Sequence, residues 1–361
     1  MTKAMVAGCA SVRSLAMEWV ELGIALVLIL VVAELFTNGV EWVGESFGLS
    51  EGAVGSVLAA VGTALPETIL PLVAILIGHA SGKEIGIGAI LGAPFMLSTL
   101  AMFVLGVSVL IFARGGRRSR DIRGDRRVLL QDLGYFLAMY TLALVAGLYH
   151  PKWYKWTLAA ILAVGYVLYV RRHFASPAEK AEEAEAVGEV RPLYLLRVVR
   201  RLQGRREEGR ATPPTWASLT QVAVSLVAIV GGARVFVIGV DRVAQIFHLP
   251  PLALALLIAP VATELPEKFN SVIWVRRRKD TLALGNITGA MVFQSSFPVT
   301  IGLLLTPWRL TGDALVSAVV ALVAGAVLWI TLKVRGTLGA SLLLGQGVLY
   351  AGYVVYVVSR L

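Results

Sequence analysis

Two short stretches carry the side chains best suited to chemistry, VGTALPET at 61–68 and VATELPEK at 261–268. Each sets Thr, Pro and Glu at one spacing: Thr63, Pro66 and Glu67, then Thr263, Pro266 and Glu267, with Glu264 as a third carboxylate. Proline has no N–H, so within a helix it interrupts the hydrogen-bond ladder one turn back. Carbonyls around Ala59–Thr63 and Ala259–Thr263 then lose partners. Carboxylates, hydroxyls and freed carbonyls are hard oxygen donors, suited to Ca²⁺, Na⁺ and related cations rather than to soft metals. Two symmetry-related glutamates could share one divalent ion. The plainer alternative is an inert, paired set of carboxylates near helix ends, with Lys268 as a partner. Recurrence of the whole pattern at both places speaks against it.

The elements that must position these residues are membrane spans. The chain has 361 residues, mean hydropathy +0.76, 57% hydrophobic and 16% charged residues, whereas soluble domains carry about 25% charged residues. That argues against a soluble enzyme, a disordered segment or a nucleic-acid-binding module. A bilayer core takes about 20 apolar residues per helix. On that measure ten spans are expected, near 20–43, 52–78, 85–112, 128–147, 155–170, 216–246, 250–275, 281–305, 314–332 and 338–358. An ionisable side chain at the centre of such a span costs about 3 kcal/mol or more, which makes it functional by default.

Basic residues orient the spans. With ten spans, 23 of the 33 Lys and Arg fall in the 114–127, 171–215, 276–280 and 333–336 loops, on one side, and seven fall on the other. The positive-inside rule makes the rich side cytoplasmic and places both termini outside. The net charge of +10 therefore needs no nucleic-acid partner. The start of the chain has no continuous apolar stretch before Leu22 and reads poorly as a signal peptide. A single cysteine, Cys9, excludes an internal disulfide.

The two halves align at an offset of 200 residues, with 13 identities between 34–67 and 234–267. GAILGA at 88–93 then matches GNITGA at 285–290. Five spans per half is an odd number, so the second half must be inverted. Inverted repeats with interrupted helices are the architecture of secondary transporters. The expected organisation is a first repeat over 1–170, a charged cytoplasmic linker over 171–215 and a second repeat over 216–361. The fold expected is thus an all-α membrane protein of ten helices in two inverted five-helix repeats, broken at the midplane. In the linker, 191–206 reads as a basic amphipathic helix lying on the inner leaflet. Glycines four apart in 88–92 and 285–289 allow close helix approach. Polar groups on the second copy are Asn286, Thr288, Gln294, Ser295 and Ser296, against only Ser98 and Thr99 on the first.

At these residues the chain resembles the calcium/cation antiporter superfamily, the membrane unit of sodium/calcium exchangers. GTALPE at 62–67, ATELPE at 262–267 and GNITGA at 285–290 are similar to that family's paired G-T-S-L-P-E and G-N-x-x-G-S-N motifs. The resemblance covers both repeats. It implies Glu67 and Glu267 as central Ca²⁺ ligands and Thr63 and Thr263 as hydroxyl and carbonyl donors. It also implies Na⁺ sites lined by the carbonyls of Ala60 and Pro260. Ala64 and Glu264 replace the motif serine, and Ala93 and Ala290 the later serines. Leu97 and Gln294 stand at the polar position four residues on.

The function expected is secondary antiport of Ca²⁺ against Na⁺ across the cytoplasmic membrane by alternating access. Glu67, Glu264 and Glu267 carry the charge, and Thr63, Thr263 and Gln294 complete the shell. Ca²⁺ and Na⁺ are cargo, and no organic cofactor or obligate protein partner is implied. Coupling to H⁺ through Glu264 stays open, because crowded carboxylates raise one another's pKa. A channel or a non-transporting cation binder are lesser alternatives. A membrane hydrolase is disfavoured because His79, His150, His173 and His248 lie near span ends and loops.

Overall fold

The computed structural model describes residues 2–47, 59–78, 80–116, 118–149, 151–173, 192–197 and 213–360. Side chains are described from Trp19 onward, except at 59–66, 115, 173 and 265–267. These residues are almost wholly helical. The elements are α1 (Thr2–Ser46), α2 (Ala59–Ile77), α3 (Gly82–Met96), α4 (Met102–Ala113), α5 (Arg126–Leu148), α6 (Lys152–His173) and α7 (Thr215–Phe247). They continue with α8 (Pro251–Thr263), α9 (Leu265–Arg276), α10 (Asp280–Leu305), α11 (Gly312–Arg335) and α12 (Ala340–Val358). A π-helical turn, Leu97–Ala101, joins α3 to α4. Strands β1 (Asp121–Ile122) and β2 (Leu338–Gly339) form one antiparallel pair.

Among the described residues eight helices are long and apolar enough to cross a membrane. They coincide with eight of the ten expected spans. At the second and seventh places the described apolar helices are shorter, Glu67–Ile77 and Pro251–Thr263. At 1.5 Å per residue the 13 residues of Pro251–Thr263 fall short of a hydrocarbon core of about 30 Å, whereas α2 as a whole, Ala59–Ile77, has 19 residues. A break was expected in both of these spans, and the structure differs in the first. There α2 continues through Pro66, whereas α8 and α9 are separated at Glu264. A proline inside a helix removes a single donor and can be carried as a kink. The first copy carries two in this way, Pro66 and Pro71; in the second copy the pair is Pro260 and Pro266, which flank the gap at Glu264.

The residues divide into two compact units, Met1–Val73 with His173–Gly239, and Ala74–Arg172 with Val240–Leu361. In the first, α1 buries a stripe at helical spacing, Leu22, Ala25, Ile29, Val32 and Phe36. It meets α7 in antiparallel sense: Leu22 lies at Gly239, Ile29 at Gly232 and Gly39 at Val222. A turn of the linker docks on the same pair. Asn38 Oδ1 accepts from the Tyr194 amide at 3.2 Å, and Gln221 Oε1 from the Leu195 amide at 2.7 Å. Leu193 is buried with Trp42 and Ala217. This described part of the expected leaflet helix therefore rests against protein, and the rest of 191–206 lies outside the described residues.

In the second unit the loops expected on one side of the membrane come together. Arg118 makes a two-pronged ion pair with Asp280 at 3.0 and 3.1 Å. The Asp125 amide donates to Thr281 Oγ1, and Arg126 Nη2 donates to the Lys333 carbonyl at 2.7 Å. β1–β2 pairing adds the 338–339 segment. At the opposite ends, the Leu310 amide donates to the Gly147 carbonyl, and Lys155 Nζ to that of Pro307. Between these layers lies a core that includes Phe95, Phe136, Tyr140 and Trp308. α11 ends on Gly336 at φ 71°, whose amide bonds back to the Leu332 carbonyl. Only glycine takes that left-handed turn freely, so Gly336→Ala should lower stability by about 1 kcal/mol in thermal unfolding of the purified protein.

Candidate cation site

The interruption between α8 and α9 is the centre of the candidate site. Pro266 cannot donate to the Ala262 carbonyl, and proline is well placed at the second position of the helix that restarts. Glu264 occupies the gap with φ −101° and ψ −35°, only 1% exposed. Its amide donates to the Pro260 carbonyl at 2.9 Å, which leaves that oxygen a second lone pair. Thr263 is also buried, and its hydroxyl donates to the Ala259 carbonyl at 3.1 Å. With its proton spent on the backbone, Thr263 Oγ1 keeps its lone pairs for an incoming cation. Lys268, one turn beyond Glu264 on the same helical face, is 4% exposed.

The neighbouring wall is α3, which runs parallel to α8. A Cβ at Gly88 would lie 2.3 Å from the Leu252 carbonyl oxygen, and one at Gly92 2.2 Å from that of Leu256. The glycine spacing thus does what the sequence suggested on this copy. Leu256 is four residues before Pro260, so its carbonyl has no helical N–H to accept from, and Gly92 lets the α3 backbone cover it. On α10, the Asn286 amide group donates to Ser271 Oγ of α9 at 3.1 Å. Gln294 is 1% exposed, while Ser295 and Ser296 both donate to the Val292 carbonyl. On the first copy, Ser98 and Thr99 are fully buried and donate to Pro94 and Phe95 carbonyls.

Pro260, Thr263, Glu264 and Gln294 therefore belong to one unit, on α8, the gap and α10. Ala60, Thr63 and Glu67 lie along α2 in the other, with Glu67 half-buried. Glu267 falls in the first turn of α9, and its side chain is outside the described residues, as are those of Ala60 and Thr63. Among the described residues no three His, Cys, Asp or Glu side chains gather as a metal-holding group.

Sequence reasoning missed one acid. Asp132 on α5 is 1% exposed and accepts from Thr288 Oγ1 at 2.6 Å and from the Tyr169 hydroxyl at 3.0 Å. It is the sole Asp or Glu in the 128–147 span, a signal available beforehand but overshadowed by the proline motifs.

The family model described as sodium/calcium exchanger protein matches residues 17–174 and 217–361. CaxA of Alkalimonas amylolytica is 23% identical over 299 residues, 79% of each chain. Inner membrane protein YrbG of Escherichia coli K12 is 24% identical over 288 residues, covering 79% of this chain and 78% of that one. Among solved structures, the H⁺/Ca²⁺ exchanger CAX superposes with TM-score 0.62 at 14% identity, over 96% of this chain and 88% of that one. The sodium-calcium exchanger NCX_Mj gives TM-score 0.53 at 20% identity, over 94% and 98%.

Proposed function

The chain belongs to the sodium/calcium exchanger protein family, and on that premise we propose that it is a secondary antiporter exporting Ca²⁺ from the cytoplasm against Na⁺. The observation that carries the reading is the interrupted helix at Thr263–Glu264, where a buried carboxylate, a hydroxyl with free lone pairs and an irregular backbone coincide. Non-helical backbone at membrane depth is tolerated where it lines a polar cavity or holds an ion.

In this reading Glu67 and Glu267 share the divalent ion, and Thr63 and Thr263 contribute hydroxyls. The carbonyls of Ala60 and Pro260 receive Na⁺, and Glu264 and Gln294 close the shell. Ca²⁺ or Na⁺ occupies the site, never both in full, and each loaded form crosses while the half-loaded form does not. The ten helices form two inverted repeats, a reading supported by the antiparallel approach of α1 and α7 over aligned sequence. The clustered basic loops face the cytoplasm and both termini lie outside, supported by the joining of 118–127, 280–281 and 332–340.

Glu264 favours a second reading, in which H⁺ replaces Na⁺. A buried carboxylate emptied of cations must find a proton or another positive charge, because leaving it bare in an apolar site is too costly. Proteoliposomes separate the two. ⁴⁵Ca²⁺ uptake driven by an outward Na⁺ gradient and indifferent to pH supports Na⁺ coupling. Uptake driven by an outward H⁺ gradient and lost in Glu264→Gln supports H⁺ coupling. No Ca²⁺ flux under either gradient would sink the reading as a Ca²⁺ exchanger and turn attention to other cations.

A further inference from the structure

Hydroxyls inside apolar helices ordinarily donate to their own backbone, three or four residues back. Ser98, Thr99, Ser108, Thr263, Ser296, Thr300 and Thr306 all do so here. Thr288, in the GNITGA segment of α10, instead donates across to Asp132 Oδ2 on α5 at 2.6 Å. The other oxygen, Oδ1, takes the Tyr169 hydroxyl of α6 at 3.0 Å. One carboxylate, 1% exposed, therefore ties three helices at a point.

The surroundings hold that point rigid. The Tyr135 ring meets Tyr169 edge-on at 5.3 Å, and Arg172 Nη1 donates to the Tyr135 hydroxyl at 3.0 Å. A Cβ at Gly289 would lie 3.7 Å from the Tyr169 hydroxyl, so α10 passes close by. Further along, Tyr166 packs edge-on against Phe293 of α10 at 5.6 Å. α10 is thus gripped at Thr288 and at Phe293, both in the stretch that leads up to Gln294. Six residues separate Thr288 from Gln294, about 9 Å along the helix.

We infer that Asp132 is a positioning residue for cation exchange, fixing the rotation of α10 through Thr288 so that Gln294 presents its oxygen to the ion. This rests on the exchanger reading above, in which Gln294 belongs to the shell. Asp132→Asn keeps the volume but removes the charge and turns one acceptor into a donor, so one of the two hydroxyls must reverse to accept and both charge-assisted bonds are lost.

The test uses full-length protein with Asp132→Asn, Thr288→Val and Thr288→Ser. The first arm is hydrogen exchange over 281–296, which asks about α10 whatever ion is carried. Asp132→Asn and Thr288→Val should each speed exchange there by about tenfold, the worth of one charge-assisted bond, with Thr288→Ser at wild-type rates. The second arm is the KM for Ca²⁺ in proteoliposomes, corrected for folded protein. The two disruptive variants should raise KM several-fold with the maximal rate little changed, and the double variant should match the worse single one, because both remove one bond. Unchanged exchange over 281–296, or effects on KM that multiply in the double variant, would overturn the inference. Loss of folded protein with normal KM in the survivors would reduce Asp132 to a structural role. Absence of Ca²⁺ flux in the wild type, with α10 loosened as expected, would instead sink the exchanger reading and leave the anchoring intact.

Discussion

Glu67→Gln and Glu267→Gln are each expected to lower ⁴⁵Ca²⁺ uptake by about a hundredfold or more, at unchanged amounts of folded protein. The substitution keeps shape and one oxygen and removes the charge. A divalent ion leaves most of its hydration behind in a water-poor site, so the remaining attraction must come from ionised ligands. Removing one member of a buried charge pair costs about 3–5 kcal/mol, equivalent to a few hundredfold or more in affinity. Gln294→Ala removes a neutral donor and should cost about 1–1.5 kcal/mol, roughly tenfold. The order of effects is therefore the useful result: two large losses, one modest loss. Initial-rate uptake together with Ca²⁺ binding measured calorimetrically provides it. Full uptake in either Glu→Gln variant would place the ion elsewhere.

How far these features were legible in the sequence depended on how local their causes are. Hydropathy is a sum over a window, so eight long helices stood where expected. Charge asymmetry is likewise additive, and three of the four loops it grouped, 114–127, 276–280 and 333–336, are joined in the structure through Arg118–Asp280 and Arg126–Lys333. Gly88 and Gly92 were legible as a close approach because four-residue spacing puts both on one helical face. Their partner was not, since nothing in 82–96 names α8. The break at Glu264 was half-legible: a proline predicts a missing bond, but α2 carries Pro66 and Pro71 without a break, so the prolines alone do not say which copy is interrupted. Asp132–Thr288 was not legible as a pair, being 156 residues apart with no repeat counterpart to flag it. The linker's docking turned on Leu193 burying beside Trp42 and Ala217, a contact that an amphipathic pattern assigns equally well to lipid.

Gly92→Ala is expected to be among the most damaging small changes available in this chain. The added methyl would lie 2.2 Å from the Leu256 carbonyl oxygen and 2.7 Å from Pro260 Cγ. Neither is the far end of a flexible side chain. One is backbone and the other a proline ring, so α3 and α8 must move apart. Overpacking of this kind costs about 1–3 kcal/mol, and toward the upper end where backbone must shift. It also exposes the Leu256 carbonyl, which Pro260 has already deprived of its helical donor. The displacement passes along α8 to Thr263 and Glu264, whose placement at the helix gap depends on where α8 ends. A shift of about 1 Å in a group that must be held in place can cost about a hundredfold in rate. Gly352→Ala on α12 is the control, since no described atom lies within 4 Å of its added methyl and alanine is the better helix former. Thermal unfolding of the purified variants and Ca²⁺ uptake per folded molecule separate the two components. A lower melting temperature with normal uptake would confine Gly92 to packing. Wild-type behaviour in both would mean that α3 and α8 stand further apart in the membrane than this geometry requires.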